Sequence, residues 1–250
     1  MLNTAIILAG GFGTRLQSVV ADVPKPMAPI NGEPFLNYQL SYLKHYGIKN
    51  IVFSTGYLAE KISEYYKTNV NGLTISYSHE SSPLGTGGGI KLAMDKTMDN
   101  DVFVLNGDSF FDVDLKEFYN QHLIHQANFS IAIRNVQNAN RYGTIELSPY
   151  FLKDSSPQLE KDFFKIKSFV EKSESNSRGY INGGIYILNK EQYLKHTKTN
   201  SAFSIEKNFF ELQCQIQNIG AFFSNGYFID IGIPEDYLKA QHDFKEFKYR

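Results

Sequence analysis

Apolar residues in this chain fall into short runs and helical stripes that alternate. Residues 4–9 read as one continuous apolar run stopped by glycine, the pattern of a strand buried on both faces. Phe35, Tyr38, Leu40 and Leu43 then recur at helical spacing, which predicts a helix over 34–45 with Gly47 as its stop. The alternation continues with strand 50–54, helix 58–67, strand 73–78, helix 86–98 opening in glycines, strand 101–105, helix 115–125 and strand 128–135. Strands alternating with helices argue for a mixed, mainly parallel α/β sheet flanked by helices on both faces.

Beyond residue 138 the pattern turns strand-rich, with runs at 143–147, 163–170, 180–188, 219–223 and 227–231. Helices are predicted only at 205–213 and 234–247, and 153–161 and 172–178 read as exposed loops. There is no biased linker and no internal repeat, so residues 1–250 are expected to form a single domain. Within it, 1–137 would bind a nucleotide and 138–250 a second substrate.

Composition narrows the partners. Hydrophobic residues make up 42% of the 250, enough for a large core, and a net charge of -1 gives no bulk attraction to nucleic acid or an anionic membrane. Cys214 is the single cysteine, which leaves no intrachain disulfide and no cysteine-rich zinc site. No basic residue precedes the first apolar run, and no run approaches the roughly 20 residues of a membrane helix. A cytoplasmic protein with neither nucleic-acid nor membrane partners is the expectation. The six histidines show no metal-ligand spacing.

The chemistry concentrates in Leu8-Ala9-Gly10-Gly11-Phe12-Gly13-Thr14-Arg15-Leu16 and, after a short loop, Pro24-Lys25-Pro26. Glycines let backbone N–H groups reach an anion, and two cations neutralise what the amides cannot. The dinucleotide fingerprint would need glycine where Leu16 stands, and the P-loop would need Gly-Lys-Ser/Thr where Gly13-Thr14-Arg15 stands. The segment is therefore a polyphosphate cradle of another kind, or an ordinary tight turn. Asp108 and Asp230 each end a predicted strand, where open α/β sheets bind ligands. Asp112-Val113-Asp114 has the Asp-x-Asp form of a metal site. Asp114 with Glu117 three residues on reads better as a helix cap with a capping-box acid.

The glycine segment followed by Pro24-Lys25-Pro26-Met27 resembles the signature of the sugar-1-phosphate nucleotidyltransferases. Leu84-Gly85-Thr86-Gly87-Gly88-Gly89, Asn106-Gly107-Asp108, Val170-Glu171-Lys172, Asn182-Gly183-Gly184 and Asp230-Ile231-Gly232 follow in the family's order, so the resemblance spans essentially the whole chain. It implies the nucleotide-diphospho-sugar transferase fold, Rossmann-like in its sheet. It also implies attack of a sugar 1-phosphate on the α-phosphorus of a nucleoside triphosphate. Arg15 and Lys25 would be the catalytic cations. Leu8, Ala9, Gly10, Gly11, Gly13, Thr14, Glu80, Gly85 and Thr86 would bind the nucleotide, and Gly143, Glu171, Lys172 and Asn182 the sugar phosphate. Asp108 and Asp230 would hold Mg2+.

The stretches 103–115 and 85–90 are most similar to the guanylyltransferases acting on D-glycero-α-D-manno-heptose 1-phosphate, which points to GTP as the nucleotide. An N-acetylmuramate 1-phosphate uridylyltransferase, a mannose 1-phosphate guanylyltransferase, a glycosyltransferase and a non-catalytic nucleotide-sugar-binding regulatory protein stand as alternatives. A homo-oligomer is possible on the family pattern.

Overall fold

A computed structural model describes residues 2–11, 16, 20, 22–139, 142–149, 162–170, 178–198 and 201–249. The first half runs β1 (Thr4–Ala9), a 3-10 turn (Lys25–Met27), β2 (Pro29–Ile30), β3 (Glu33–Pro34), α1 (Phe35–His45), β4 (Asn50–Thr55), α2 (Ala59–Tyr66), β5 (Asn69–Val70), β6 (Leu73–His79), α3 (Gly85–Met94), β7 (Asp101–Asn106), β8 (Ser109–Phe111), α4 (Leu115–Ile124) and β9 (Phe129–Val136). The second half adds β10 (Thr144–Pro149), β11 (Phe163–Val170), β12 (Gly179–Asn189), α5 (Lys190–Lys195), a π-helical turn (Ile205–Phe210) running into α6 (Glu211–Gln213), β13 (Ile219–Phe223), β14 (Phe228–Asp230) and α7 (Pro234–Asp243) with a final 3-10 turn (Phe244–Glu246).

Among the described residues, ten strands form one sheet in the order β10-β11-β13-β9-β12-β7-β1-β4-β6-β5. The run β7-β1-β4-β6 is parallel, and β9 and β13 pair parallel further along. β12 enters antiparallel between β7 and β9, so strands of the second half complete the sheet begun by the first.

The two-sided apolar runs have a visible cause. Ala5, Ile7 and Ala9 of β1 enter one core, while Ile6 enters the other. Val52 against Ile51 and Phe53, and Val104 against Phe103 and Leu105, divide in the same way. This is the strand period of two, with helices burying both faces. On one face lie Phe35, Tyr38, Ile62, Phe118 and Tyr237 from α1, α2, α4 and α7; on the other lie Ile90, Tyr193 and Phe209 from α3, α5 and the π-turn.

Several boundaries differ from the sequence reading. Helix α3 stops at Met94, and Met98, expected within it, is almost fully exposed. The helix expected over 205–213 opens as a π-turn, and that expected over 234–247 breaks into 3-10 geometry at Phe244. Asp114 caps α4 as expected, accepting from the Lys116 and Glu117 amides at 3.0 and 3.1 Å. The Glu117 carboxylate accepts from Gln121 at 2.6 Å, one turn further along the helix, in place of the expected capping-box contact. Asp112 accepts from Tyr249 and pairs with Lys248, a structural role. Cys214 is buried at the end of α6. The loop 153–161 lies outside the described residues, as does 172–177 of the second loop. Among the described residues no helix is long and apolar enough to cross a membrane.

His122 of α4 is buried with Nδ1 2.7 Å from the Ser130 hydroxyl oxygen. Burial pushes its pKa down from 6.5 to about 4, against the opposing pull of Asp101. The unfolded chain takes up this proton near pH 6.5 and the folded chain only near 4. The stability so held is complete above pH 6.5 and lost as pH falls through that window. Urea titrations across it should show a loss on the order of 3 kcal/mol from this residue. His122→Gln should flatten that limb, and an unchanged slope in the variant would contradict the assignment.

Candidate active site

Four adjacent parallel strands, β7, β1, β4 and β6, end along one edge of the sheet. Immediately beyond their carboxyl ends lie Gly107, Gly10, Gly56 and Glu80. They border a cavity of about 640 Å3, together with Lys25, Tyr57, Thr86 and Asp108. The placement is the one expected of a ligand site in an open α/β sheet. Of the nucleotide residues read from the sequence, Leu8, Gly10, Gly11, Glu80, Gly85 and Thr86 line this cavity; Ala9 is buried in the strand beneath.

At one end stands Lys25. Pro24 is extended with φ -63° and ψ 148°, and the chain then turns through Lys25–Met27, with the Met27 amide returning to the Pro24 carbonyl at 2.7 Å. The flanking prolines fix their own φ and limit the paths this turn can take. Lys25 Nζ lies 2.5 Å from Asp108 Oδ2 and 3.4 Å from Asp230 Oδ1. The two carboxylates meet because β8 pairs antiparallel with β14 and the Ile231 amide bonds to the Asp108 carbonyl at 3.0 Å. Both aim hard oxygen donors at one cation, a set that suits a divalent metal completed by phosphate oxygens and water. Among the described residues no group of three or more His, Cys, Asp or Glu could hold a metal unaided.

The turn carrying Asp108 is held from beneath by a residue that sequence reasoning missed. Gln39 of α1 is only 1% exposed, and its Nε2 donates to the Asn106 and Ser109 carbonyls, each at 2.7 Å. The available signal was a glutamine on the apolar face of a helix. From above, the Gly107 amide bonds to the Leu8 carbonyl at 2.9 Å, and a methyl at Gly107 would meet that oxygen at 2.4 Å.

Glu80 occupies the other end. Its Oε2 accepts from the Leu84 amide at 2.6 Å, and a methyl on Gly10 would meet its Oε1 at 2.5 Å. Burial raises its pKa above the usual carboxylate range, opposed by the Leu84 hydrogen bond and by His79. Gly85 opens α3 with φ +69°, pressed against the Phe203 backbone. Thr86 donates to Glu206 Oε2 at 2.8 Å, and Ser204 donates to the same oxygen at 2.7 Å.

Gly143 and Asn182 come together, the Asn182 amide bonding to the Gly143 carbonyl at 3.2 Å, but neither lines this cavity. The Asn182 side chain accepts from the Gly184 amide and donates to the Tyr186 hydroxyl at 2.8 Å. A methyl at Gly184 would meet Asn106 Nδ2 and Ser109 Oγ at 2.9 Å, so this motif backs directly onto the Asp108 turn. Gly13, Thr14, Arg15, Glu171 and Lys172 lie outside the described residues.

A family model described as nucleotidyl transferase matches residues 4–246. The D-glycero-alpha-D-manno-heptose 1-phosphate guanylyltransferase of Aneurinibacillus thermoaerophilus is 41% identical over 97% of this chain and 99% of its own length. The protein of the same name from Campylobacter jejuni is 41% identical over 93% of this chain and 96% of its own. Among solved structures, HddC from Yersinia pseudotuberculosis complexed with GMP-PN is similar at a TM-score of 0.79 and 36% identity, covering 98% of this chain and all of that one.

Replacing Gln39 by Met keeps the volume but leaves the Asn106 and Ser109 carbonyls without their buried donor. Gln39→Met should cost about 1–3 kcal/mol, read by urea denaturation. A variant as stable as the parent would mean the turn does not depend on these two bonds.

Proposed function

The chain belongs to the nucleotidyl transferase family, and from that premise we propose that it transfers GMP from GTP to D-glycero-α-D-manno-heptose 1-phosphate, giving the GDP-sugar and pyrophosphate. The observation that carries this reading is one cavity with a carboxylate, Glu80, at one end and the Lys25–Asp108–Asp230 cluster at the other. The names of the relatives supply the sugar.

Guanine presents two parallel donors, N1–H and N2–H, that a carboxylate can accept together. Uracil and thymine offer a single N–H between two carbonyls, which a carboxylate repels. Glu80, anchored through the Leu84 amide, is the group in this cavity suited to that discrimination.

At the other end a sugar-phosphate oxygen forms a bond to the α-phosphorus as the bond to the β-phosphate oxygen breaks. The electron pair leaves with pyrophosphate. Negative charge grows on the α-phosphate oxygens in the transition state, and Lys25 is assigned to stabilise it. Arg15 is assigned to the departing pyrophosphate and Lys172 to the incoming phosphate, on the sequence pattern. Asp108 and Asp230 would hold Mg2+, which when bound neutralises phosphate charge. Gly143, Glu171 and Asn182 are assigned to the sugar.

Pyrophosphate release over a matrix of nucleoside triphosphates against heptose, mannose and N-acetylmuramate 1-phosphates tests the reading. GTP with the heptose phosphate should be fastest, and Lys25→Ala and Asp108→Asn should each lose most of that turnover while remaining folded. Faster turnover of UTP or dTTP would overturn the base assignment, and faster use of mannose 1-phosphate the sugar. No pyrophosphate from any pair would leave a nucleotide-sugar-binding regulatory role.

Base reading by Glu80 requires its ionised form. KM for GTP should rise as pH falls through the elevated Glu80 pKa. Glu80→Gln should lower kcat/KM for GTP by about tenfold to a hundredfold and remove this acid limb. A parent-like profile in the variant would assign the limb to another group.

A further inference from the structure

The Lys25 ammonium stands where the resemblance puts a metal. It lies 2.5 Å from Asp108 Oδ2 and 3.4 Å from Asp230 Oδ1, with a side chain only 9% exposed. Gly232 crowds the same point: a methyl there would meet Lys25 Nζ at 2.6 Å and Asp230 Oδ1 at 2.7 Å. The Gly232 amide also donates to Asp230 Oδ1 at 2.8 Å, which fixes that carboxylate. Both carboxylates held this way face the Lys25 ammonium. A divalent ion taking the same oxygens would stand beside the ammonium in a part-buried place, where water screens the repulsion of like charges only in part.

We propose that Lys25 excludes the divalent metal from Asp108 and Asp230 until a nucleotide draws the ammonium onto its α-phosphate. The metal site then exists only in the nucleotide-bound protein. The proposal rests on the nucleotidyl-transfer reading for the ligand that moves Lys25. Without nucleotide, the Lys25 ammonium lies beside both carboxylates. With it, the polyphosphate takes the ammonium, and a doubly charged ion replaces it between the carboxylates. The metal therefore enters with the triphosphate and not ahead of it. The same lysine serves as counter-ion in the empty protein and as phosphate ligand in the loaded one.

Titration of the nucleotide-free protein with Mn2+, with free Mn2+ read by electron paramagnetic resonance, tests this directly. The parent should bind Mn2+ weakly. Lys25→Met and Lys25→Gln should each bind it at least about tenfold more tightly, because the repelling charge is gone. Lys25→Arg, which keeps the charge, should stay weak. Adding Asp108→Asn to Lys25→Met should abolish the gain, and Mn2+ should raise the thermal midpoint of Lys25→Met but not of the parent. Dissociation constants for Lys25→Met and Lys25→Gln within twofold of the parent would overturn the proposal. So would a gain that survives Asp108→Asn. No nucleotide is present in these titrations, so pyrophosphate release by the parent, assayed alongside, can fail or succeed independently of them.

Discussion

The contact between Lys25 and the carboxylates of Asp108 and Asp230 joins parts of the chain that are 83 and 205 residues apart. It sets a requirement the rest of the site must meet. Two carboxylates brought together at the end of a sheet repel each other unless a cation lies between them. Neither is deeply buried: their side chains are 37% and 20% exposed. Water therefore screens part of the interaction, and the ion pair alone cannot hold the three segments in place. Hydrogen bonds and close backbone contacts must do so. Hence the Gln39 amide beneath the Asp108 turn, the Leu8 carbonyl against Gly107, and the Gly232 amide on Asp230.

The antiparallel entry of β12 beside β7 determines how the second half reaches this point. Because β12 runs antiparallel to β7, the residues before Ile185 lie at the carboxyl end of β7, and Gly184 comes against Asn106 and Ser109 on the turn that carries Asp108. A hydrogen-bonded chain from Asn182 through Tyr186 to Glu206 and Thr86 then links this strand to the start of α3. One polar network thus ties β12, which backs onto the Asp108 turn, to Thr86 in the cavity wall.

Much of this could be read in the sequence because it is local. Buried strands betray themselves as apolar runs, and glycines at their ends mark where the backbone must turn or be approached. Asp114 as a helix cap was legible for the same reason: the amides that donate to its carboxylate are two and three residues away. Two further local signals mark tight turns. Asn31-Gly32 and Asn71-Gly72 both adopt positive φ and close the small hairpins β2–β3 and β5–β6. Asparagine-glycine is the sequence favoured for such turns. The roles of Gln39 and of Glu206 toward Thr86 were not legible. The Gln39 partners lie 67 and 70 residues away and Thr86 lies 120 from Glu206, and nothing in the spacing of a lone glutamine or glutamate reports a contact made across the fold.

The glycines of the site are better understood as spaces than as flexible joints. Gly107 lacks a positive φ, yet a methyl there would meet the Leu8 carbonyl at 2.4 Å. Gly10 is similar, with the Glu80 carboxylate at 2.5 Å. In each case glycine admits a neighbouring polar oxygen where a side chain would stand. That closeness is what lets four strand ends border a single cavity, with the Glu80 carboxylate at one end and an ammonium at the other. A sheet edge built from larger residues would splay these groups apart and leave each in water, where a carboxylate discriminates little between bases and a lysine little between phosphates. The glycine-rich ends thus set how near the two ends of the cavity stand to the strands that carry them, and the charged residues exploit that nearness.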